Sequence, residues 1–162
     1  MEKSAVILKK LIKNDAYLRA WKVGLYASMA HEVITYPLIQ RSIMLDKGVS
    51  FPRIEDRAKR EMLFRYITNV ADLNAGSFGI LEPSQKATVM EHPDVIIMPL
   101  VAFDVCRNRF GQGGGYYDRY FSRHPECFKI ALAYESQKTE RIPTDEWDVR
   151  PDLIITEEAI YD

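Results

Sequence analysis

The sequence lacks three features that would place it in a class at once. Its two cysteines, Cys106 and Cys127, are too far apart for a CxxC pair, so neither a disulfide framework nor a zinc–cysteine site is indicated. The longest uninterrupted apolar run, 95–103, contains Pro99 and is far too short to span a bilayer. The N-terminal segment alternates lysines with apolar residues and lacks a small-residue cleavage site, which predicts no secretory signal. A reducing cytoplasm fits these absences best.

The sequence also lacks an excess of charge of either sign. Its 22 Lys and Arg residues nearly balance 23 Asp and Glu residues, for a net charge of -1 at pH 7. Proteins that bind nucleic acid through counterion release normally carry a basic excess, so we expect no nucleic-acid partner and no membrane partner. A length of 162 residues with 47% hydrophobic and 28% charged residues is typical of one soluble globular domain. We therefore expect a monomeric single domain over 1–162.

The hydrophobic pattern predicts strands that alternate with helices. The first helix is expected to begin with Ser4 as its cap, and the second to contain Pro37 in its first turn with Gly48 just past its end. Such alternation predicts an α/β domain, a three-layer α/β/α architecture with a largely parallel central sheet, whose ligands bind beyond the carboxyl ends of the strands. The predicted helices are 4–19, 34–45 and 116–123, and the predicted strands are 22–27, 49–52, 62–67, 94–99, 128–134 and 152–156.

Half of the glycines fall in one short loop. Consecutive glycines can turn several N–H groups toward one point and form a nest for an anion, and a helix beginning at Tyr116 would add its partial positive charge. Arg109 and Arg119 flank the loop as possible phosphate ligands. The loop has neither the GK[ST] of a Walker loop nor a dinucleotide-binding fingerprint. A flexible surface loop is the alternative interpretation. Four of the eight glycines of the chain are involved: Gly111, Gly113, Gly114 and Gly115.

The segment from Met98 to Arg119 resembles the signature of the 5-formyltetrahydrofolate cyclo-ligase family. It contains Met98-Pro-Leu-Val-Ala-Phe-Asp104 and Arg109-Phe-Gly-Gln-Gly-Gly-Gly-Tyr-Tyr-Asp-Arg119. Four further landmarks resemble the family in the same order along nearly the whole chain. They are 26–32 followed by Thr35, 51–53, the pair Glu82-Pro83, and Asp148 with 152–156.

The resemblance implies an ATP-dependent ligase of one-carbon metabolism. In the family's reaction, 5-formyltetrahydrofolate and ATP give 5,10-methenyltetrahydrofolate, ADP and phosphate, with Mg2+. The formyl oxygen attacks the γ-phosphate, N10 then attacks the activated carbon, and phosphate leaves as the ring closes. Phosphorylation is needed because an amide-like oxygen is a poor leaving group. Two alternatives remain open: a non-catalytic folate- or nucleotide-binding protein on the same scaffold, and a regulatory module that binds another phosphorylated molecule.

Matching positions carry the family's site residues onto this chain. Arg109 and Tyr116 are the catalytic candidates, and Asp118 and Asp148 match the Mg2+ carboxylates. The positions that match the family's ATP-phosphate-binding residues are Arg109, Phe110, Gly111, Gln112, Gly113, Gly114, Gly115, Tyr116 and Tyr117. The positions that match the family's folate-binding residues are Ala27, Glu32, Gln112, Gly113, Gly114, Gly115 and Tyr116.

Three of these carboxylates have a structural interpretation beside the functional one. Asp118 in the first turn of a helix would also complement the helix dipole, and Glu32, between a strand and a helix, would also suit a capping role. Asp148 lies in an acidic loop, 144–148, that would ordinarily be solvated surface.

Family members usually open with a helix whose Lys and Arg, four residues apart, bind the ATP phosphates. The resemblance begins after that helix, so we expect a single cyclo-ligase-like domain without it. In addition, Arg107 stands where the family commonly has glycine.

Other chemically capable residues are expected to be structural or solvated. The histidines His31, His92 and His124 have no mutual spacing that suggests a ligand set, and we expect them to be at the surface or locally hydrogen-bonded. Cys106 is expected to be a small buried thiol. The basic cluster 57–60 is expected to be a solvated face.

Overall fold

The computed structural model describes residues 2–162. Within these residues the chain forms four α-helices, α1 to α4: Glu2–Leu11, Asp15–Arg19, Tyr36–Met44 and Tyr116–Arg123. It also forms eleven strands, β1 to β11: Lys22–Gly24, Gly48–Asp56, Glu61–Ile67, Leu73–Ala75, Leu81–Pro83, Val95–Pro99, Ala102–Phe103, Arg109–Phe110, Phe128–Leu132, Leu153–Ile155 and Ile160–Tyr161.

Seven strands form the central sheet in the order β11-β10-β9-β6-β1-β2-β3. The five inner strands run parallel, and the edge strands β3 and β11 are antiparallel to their neighbours. The strand β6 lies at the centre with all but its last residue buried, as its continuous apolar sequence predicts for a strand covered on both faces. The two pairs β4–β5 and β7–β8 form separate two-stranded sheets.

Side chains of successive residues along the central strands enter two different cores. Val95 and Ile97 of β6 pack in the core that includes residues of α1, α2 and α3, whereas Ile96 and Met98 pack in the core that includes Tyr120 of α4. This alternation follows from the twofold periodicity of a strand. The helices therefore cover both faces, and the predicted α/β/α architecture with a largely parallel sheet is confirmed.

The prediction of one helix over 4–19 is wrong, because the chain breaks between α1 and α2. The side chain of Asn14 accepts a hydrogen bond from the backbone N–H of Ala16 at 3.0 Å and so caps a second helix. Ser4 is not a cap. It lies inside α1 at 3% exposure, and its hydroxyl is 2.8 Å from the hydroxyl of Tyr134 and accepts from the N–H of Ile34.

The helix predicted over 116–123 is present with those bounds, and the other predicted elements are present with shifted ends. Pro37 lies in the first turn of α3 as expected, but Gly48 begins β2 instead of ending the helix, and Asp46 adopts the left-handed conformation there with φ of 54°. The short strands β4, β5, β7, β8 and β11 were not predicted, since two or three residues carry too little periodicity. No helix within residues 2–162 is long and apolar enough to cross a membrane.

Candidate active site

A cavity of about 560 Å³ lies beyond the carboxyl ends of β1 and β6. Its walls come from the segment after β1, from Pro99 at the end of β6 and Leu100 after it, from the glycine loop, and from the loop before β10. This is the position at which parallel α/β sheets bind ligands. Every site residue implied by the resemblance lines this one cavity: Ala27, Glu32, Arg109, Phe110, Gly111, Gln112, Gly113, Gly114, Gly115, Tyr116, Tyr117, Asp118 and Asp148.

The glycine loop follows a short hairpin, β7–β8, that is fastened by one buried carboxylate. Asp104, at 2% exposure, accepts hydrogen bonds from the backbone N–H groups of Cys106, Asn108 and Ile142 at 2.9–3.0 Å. Burial alone would raise the pKa of Asp104, but these hydrogen bonds, with one from the Asn108 side chain, bring the pKa below its ordinary value. The loop therefore starts from a rigid base.

The backbone of the loop uses glycine where other residues would be strained or would clash. Gly113 and Gly115 have φ of 84° and 68°, in the left-handed region, and Gly115 precedes the first residue of α4. A Cβ on Gly114 would lie 2.6 Å from the ring of Tyr116. The loop leads directly into α4, and residues other than glycine at these three positions would be strained or would clash with Tyr116.

Arg109 and Asp118 form a close ion pair inside the cavity wall. Nη2 of Arg109 donates to Oδ1 of Asp118 at 2.6 Å, and the Arg109 side chain is only 6% exposed. Burial lowers the pKa of Arg109, while the negative charges of Asp118 and Asp148 act to raise it. Arg109 is thus held by Asp118 through one nitrogen. Its Nη1 faces the loop, 3.3 Å from the Cβ position of Gly111.

Asp118 and Asp148 come together although 30 residues separate them. Oδ1 of Asp118 accepts from the N–H of Val149 at 2.9 Å, and Oδ2 of Asp148 accepts from the N–H of Asp145 at 2.9 Å. Within residues 2–162 the second oxygen of each carboxylate has no such partner. Carboxylate oxygens without hydrogen-bond partners are ligands of the kind that Mg2+ prefers.

Glu32 is the buried carboxylate of the opposite wall. At 7% exposure it accepts from the N–H of Met29 at 2.8 Å through Oε2 and from the side chain of Gln112 at 3.3 Å through Oε1. Glu32 therefore closes the turn that precedes α3 and does not cap α3, whose N-cap is Thr35. Burial raises the pKa of Glu32. The Gln112 contact joins the glycine loop to this wall.

The adjacent tyrosines of α4 have different surroundings. Tyr116 packs against Gly114, whereas Tyr117 is partly buried near Glu32 and Arg109. Burial, followed by the negative charge of Glu32, raises the pKa of Tyr117 above its ordinary value. Tyr117 is therefore neutral at physiological pH.

Several cavity residues were not identified from the sequence. Phe78 lies on the rim at 63% exposure with a left-handed φ of 58°, and Arg57 stacks on its ring at 4.9 Å. Glu82, a family landmark to which no role was given, is 4% exposed and pairs with Arg53 at 3.4 Å. In the sequence, Phe78 is only an aromatic residue next to a glycine, which is a weak signal of a binding site. Its position in the cavity wall becomes apparent only in the folded structure.

Arg60 was also missed, because the cluster 57–60 was expected to be a solvated face. The turn between β2 and β3 brings Nη1 of Arg60 to 3.7 Å from the Cβ position of Gly115. Arg60 is exposed and, within residues 2–162, forms no salt bridge, unlike Lys59, which pairs with Asp56. Arg60 is therefore solvated, as expected, and in addition its guanidinium lies close to the glycine loop.

Two further expectations concern residues near the loop. Cys106 is exposed and not buried, because it occupies the tip of the β7–β8 hairpin; both cysteines are free thiols, as predicted. Arg107 has φ of 64°, which favours glycine, and this explains why glycine suits the position. Its Nε donates to the carbonyl of Pro151 at 3.1 Å, a contact that glycine cannot make.

The fold and the cavity define an α/β protein in which a glycine loop, a pair of carboxylates and a buried glutamate line one cavity at the carboxyl end of a parallel sheet. The sequence profile of the 5-formyltetrahydrofolate cyclo-ligase family matches residues 1–157, so the chain belongs to that family of ATP-dependent ligases. The resemblance that the sequence suggests is confirmed.

Individual relatives agree. The chain is 36% identical over 137 residues to the 5-formyltetrahydrofolate cyclo-ligase of Haemophilus influenzae, covering 81% of this chain and 73% of that protein. The solved structure of Aquifex aeolicus 5,10-methenyltetrahydrofolate synthetase superposes with a TM-score of 0.83 at 32% identity, covering 97% of this chain and 79% of the other. The synthetase of Mycoplasma pneumoniae gives 0.75 at 25% identity, covering 96% and 85%.

Proposed function

We propose that this protein converts 5-formyltetrahydrofolate into 5,10-methenyltetrahydrofolate in the cavity described above, with ATP as co-substrate. Membership of the family carries the class of reaction. The observation that supports the location is that all thirteen residues implied by the resemblance line one cavity at the carboxyl ends of the sheet. Its volume of about 560 Å³ suits ligands of this size.

The glycine loop is the proposed site of the ATP phosphates. Its left-handed glycines lie directly ahead of α4, whose N-terminal dipole favours negative charge, and backbone of this kind can form a nest for an anion. The cation that faces the loop from the opposite side is Arg60, and Nη1 of Arg109 lies beside Gly111. These donors would neutralise charge on the transferring phosphoryl group, which is the protein's main task in such a reaction.

Asp118 and Asp148 are the proposed ligands of Mg2+. Both line the cavity beside the loop, and each keeps one oxygen without a hydrogen bond within residues 2–162. When bound, Mg2+ would neutralise phosphate charge. Arg109 holds Asp118 through Oδ1 in a short ion pair, and Oδ2 has no hydrogen-bond partner within residues 2–162.

Glu32, Ala27 and the loop residues form the proposed folate pocket. A carboxylate suits the adjacent ring N–H and amino donors of a pterin, and the weak Gln112 contact at 3.3 Å is one that such a ligand can replace. The small side chain of Ala27 leaves room at the wall. Tyr116 and Phe78 offer aromatic faces on either side of the opening for stacking.

This arrangement would hold the formyl oxygen of the folate in line with the γ-phosphate. Attack of that oxygen on phosphorus releases ADP, and N10 then attacks the activated carbon to close the ring with loss of inorganic phosphate. Gln112 touches Glu32 and belongs to the glycine loop, so one residue adjoins both proposed pockets. Holding two reactants in alignment contributes several kcal/mol to such reactions, up to roughly 7–11 kcal/mol in model systems.

The purified protein, Mg2+, ATP and 5-formyltetrahydrofolate provide the direct test. We expect methenyl absorbance to appear together with one ADP per product molecule, and neither to appear without ATP. Binding of 5-formyltetrahydrofolate in calorimetry without ADP release would contradict the proposal and support a non-catalytic folate-binding protein. Binding of phosphate anions without affinity for a folate would support the regulatory module.

We also propose that the protein acts as a monomer in a reducing cytoplasm, on small molecules and not on nucleic acid. The supporting observations are two free thiols, one of them exposed, and a net charge of -1. Sedimentation equilibrium tests the monomer; a concentration-dependent mass would contradict it.

A further inference from the structure

Two short sequences of the same kind precede neighbouring strands of the sheet. His92-Pro93-Asp94 leads into β6, and His124-Pro125-Glu126 leads toward β9. The strands β6 and β9 are parallel with Val95 opposite Phe128, so the segments that precede them meet at the amino end of the sheet. The two histidines, distant in sequence and assigned to no common site by their spacing, thus become neighbours.

The side chains at this point converge on one carboxylate oxygen. Oε1 of Glu126 lies 3.2 Å from Nδ1 of His92 and 3.8 Å from Nδ1 of His124. The ligand atoms of the three residues all lie within 4.8 Å of one another. Ligands about 2.0–2.1 Å from a tetrahedral Zn2+ are roughly 3.3 Å apart, so the group needs only a small contraction to bind that ion.

An independent observation concerns the nitrogen of His124. Its Nδ1 is buried and has no hydrogen-bond partner within residues 2–162, while the ring stacks on Tyr120 with centroids 4.2 Å apart. A buried polar atom without a partner is costly, and one that points toward a second imidazole and a carboxylate needs an explanation. A metal ion at the centre of the group would satisfy it.

We propose that His92, His124 and Glu126 form a Zn2+ site, with water as the fourth ligand. Two imidazoles and one carboxylate favour zinc over Mg2+, which prefers oxygen ligands only. His92 and Glu126 are 74% and 50% exposed, so the ion can enter from solvent. Within residues 2–162 this is the one group of three such ligands that the structure brings together.

The site lies at the amino end of the sheet, the far end from the cavity. It would join the segment before β6 to the segment between α4 and β9, and bound Zn2+ would therefore stabilise the fold without entering the reaction. The proposal is independent of the proposed ligase activity.

Calorimetric titration of chelator-treated protein with Zn2+ tests the site. We expect one ion per chain and a rise in Tm with Zn2+. His92→Ala and Glu126→Gln alter exposed side chains, so both variants should fold and keep ligase activity, yet lose at least about tenfold in Zn2+ affinity and most of the rise in Tm. In the wild type, Co2+ at the site should show the absorbance of a tetrahedral complex, which His92→Ala should lack.

Three control variants separate this site from other Zn2+ ligands. His31→Ala removes an exposed histidine elsewhere, Cys106→Ser removes the exposed thiol, and Asp148→Asn removes a carboxylate of the cavity. We expect all three to bind Zn2+ at the proposed site like the wild type. No binding by the wild type, unchanged affinity in His92→Ala, or loss of the ion in Cys106→Ser or Asp148→Asn would overturn the proposal.

Discussion

The two ends of the parallel sheet use the same residue type for different purposes. At the amino end, Oδ2 of Asp94 accepts from the N–H groups of Trp21 and Lys22, both at 2.8 Å, and Oδ2 of Asp152 accepts from the N–H of Lys129 at 2.7 Å. These carboxylates fasten the beginnings of strands to their neighbours. They complete backbone hydrogen bonding where the ladder starts, so they are structural.

At the carboxyl end the carboxylates border a cavity. Asp118 and Asp148 each keep an oxygen free of hydrogen bonds within residues 2–162, and Glu32 is only weakly bonded through Oε1. Burial raises the pKa of Glu32, which means that the ionised side chain lowers the stability of the folded protein. Among these five carboxylates, the three at the carboxyl end line the cavity and the two at the amino end do not.

The variant expected to disturb catalysis most is Asp118→Asn. It leaves the Arg109 guanidinium, at 6% exposure, without its charged partner and removes a proposed Mg2+ ligand. We expect kcat/KM to fall by at least about 10²–10³ and stability to fall by about 2–4 kcal/mol, less than for a fully buried pair because Asp118 is 23% exposed. Turnover measured well below the Tm of the variant separates the two effects. Turnover at the wild-type rate would contradict both assigned roles.

Glu32→Gln is expected to reduce activity while it increases stability. Loss of a charged acceptor should raise KM for 5-formyltetrahydrofolate by about 10–100-fold, with little change in KM for ATP. The variant should gain up to about 1 kcal/mol at pH 7, since it no longer places a charge in a buried site. A larger change in KM for ATP than for the folate would contradict the pocket assignment.

The stability gain of Glu32→Gln over the wild type should increase with pH. The folded-state pKa of Glu32 is raised by burial above the unfolded value of about 4.3, so the charge destabilises the wild type only once the pH exceeds that value. The difference in Tm between Glu32→Gln and the wild type should therefore be near zero at pH 4 and grow toward neutral pH. A difference that shrinks as the pH rises would show that burial does not raise this pKa.

Arg60→Ala is expected to have a moderate effect on ATP alone. Its guanidinium faces the glycine loop next to Gly115, so its loss should raise KM for ATP by about tenfold, the worth of one charge-assisted hydrogen bond. Lys59→Ala is the matched control, because Lys59 occupies the same turn and pairs with Asp56. Equal effects of the two variants would mean that only net charge near the cavity matters.

Asp94→Asn should have the smallest effect on catalysis. It weakens two backbone hydrogen bonds at the amino end and should cost about 1–2 kcal/mol of stability. We expect kcat and both KM values to stay within about twofold of the wild type. A selective loss of ATP or folate affinity would contradict the claim that the carboxylates at the amino end of the sheet are structural only.

The sequence predicted the central strands and the residues that line the cavity better than it predicted helix breaks and short strands. The strand β6 is a run of apolar residues, and α4 begins after Gly115, so local signals suffice for both. The break between α1 and α2 had a local signal in Asn14, a strong capping residue, but the apolar spacing continued across it. Pairing of two-residue strands such as β7 and β8 depends on Asp104 and its distant partner Ile142.

The resemblance assigned residues one at a time, and the structure shows relations among them. The sequence presents Arg109 and Asp118 as a phosphate ligand and a metal ligand, whereas the fold pairs them at 2.6 Å. Arg60 and Phe78 carry no motif, because the position of Arg60 near Gly115 and of Phe78 in the cavity wall depends on turns with left-handed residues. Contacts between residues far apart in sequence are set by tertiary packing, which no local pattern encodes.

The central claim is that the carboxyl end of the sheet, and not its amino end, binds the nucleotide. Calorimetric titration of Mg2+-ATP into the wild type, Asp148→Asn and Asp152→Asn tests it most directly, since the two variants make the same chemical change at opposite ends. We expect Asp152→Asn to bind like the wild type and Asp148→Asn to lose at least about tenfold in affinity. Equal affinity of Asp148→Asn and the wild type, or an equal loss in both variants, would contradict the account.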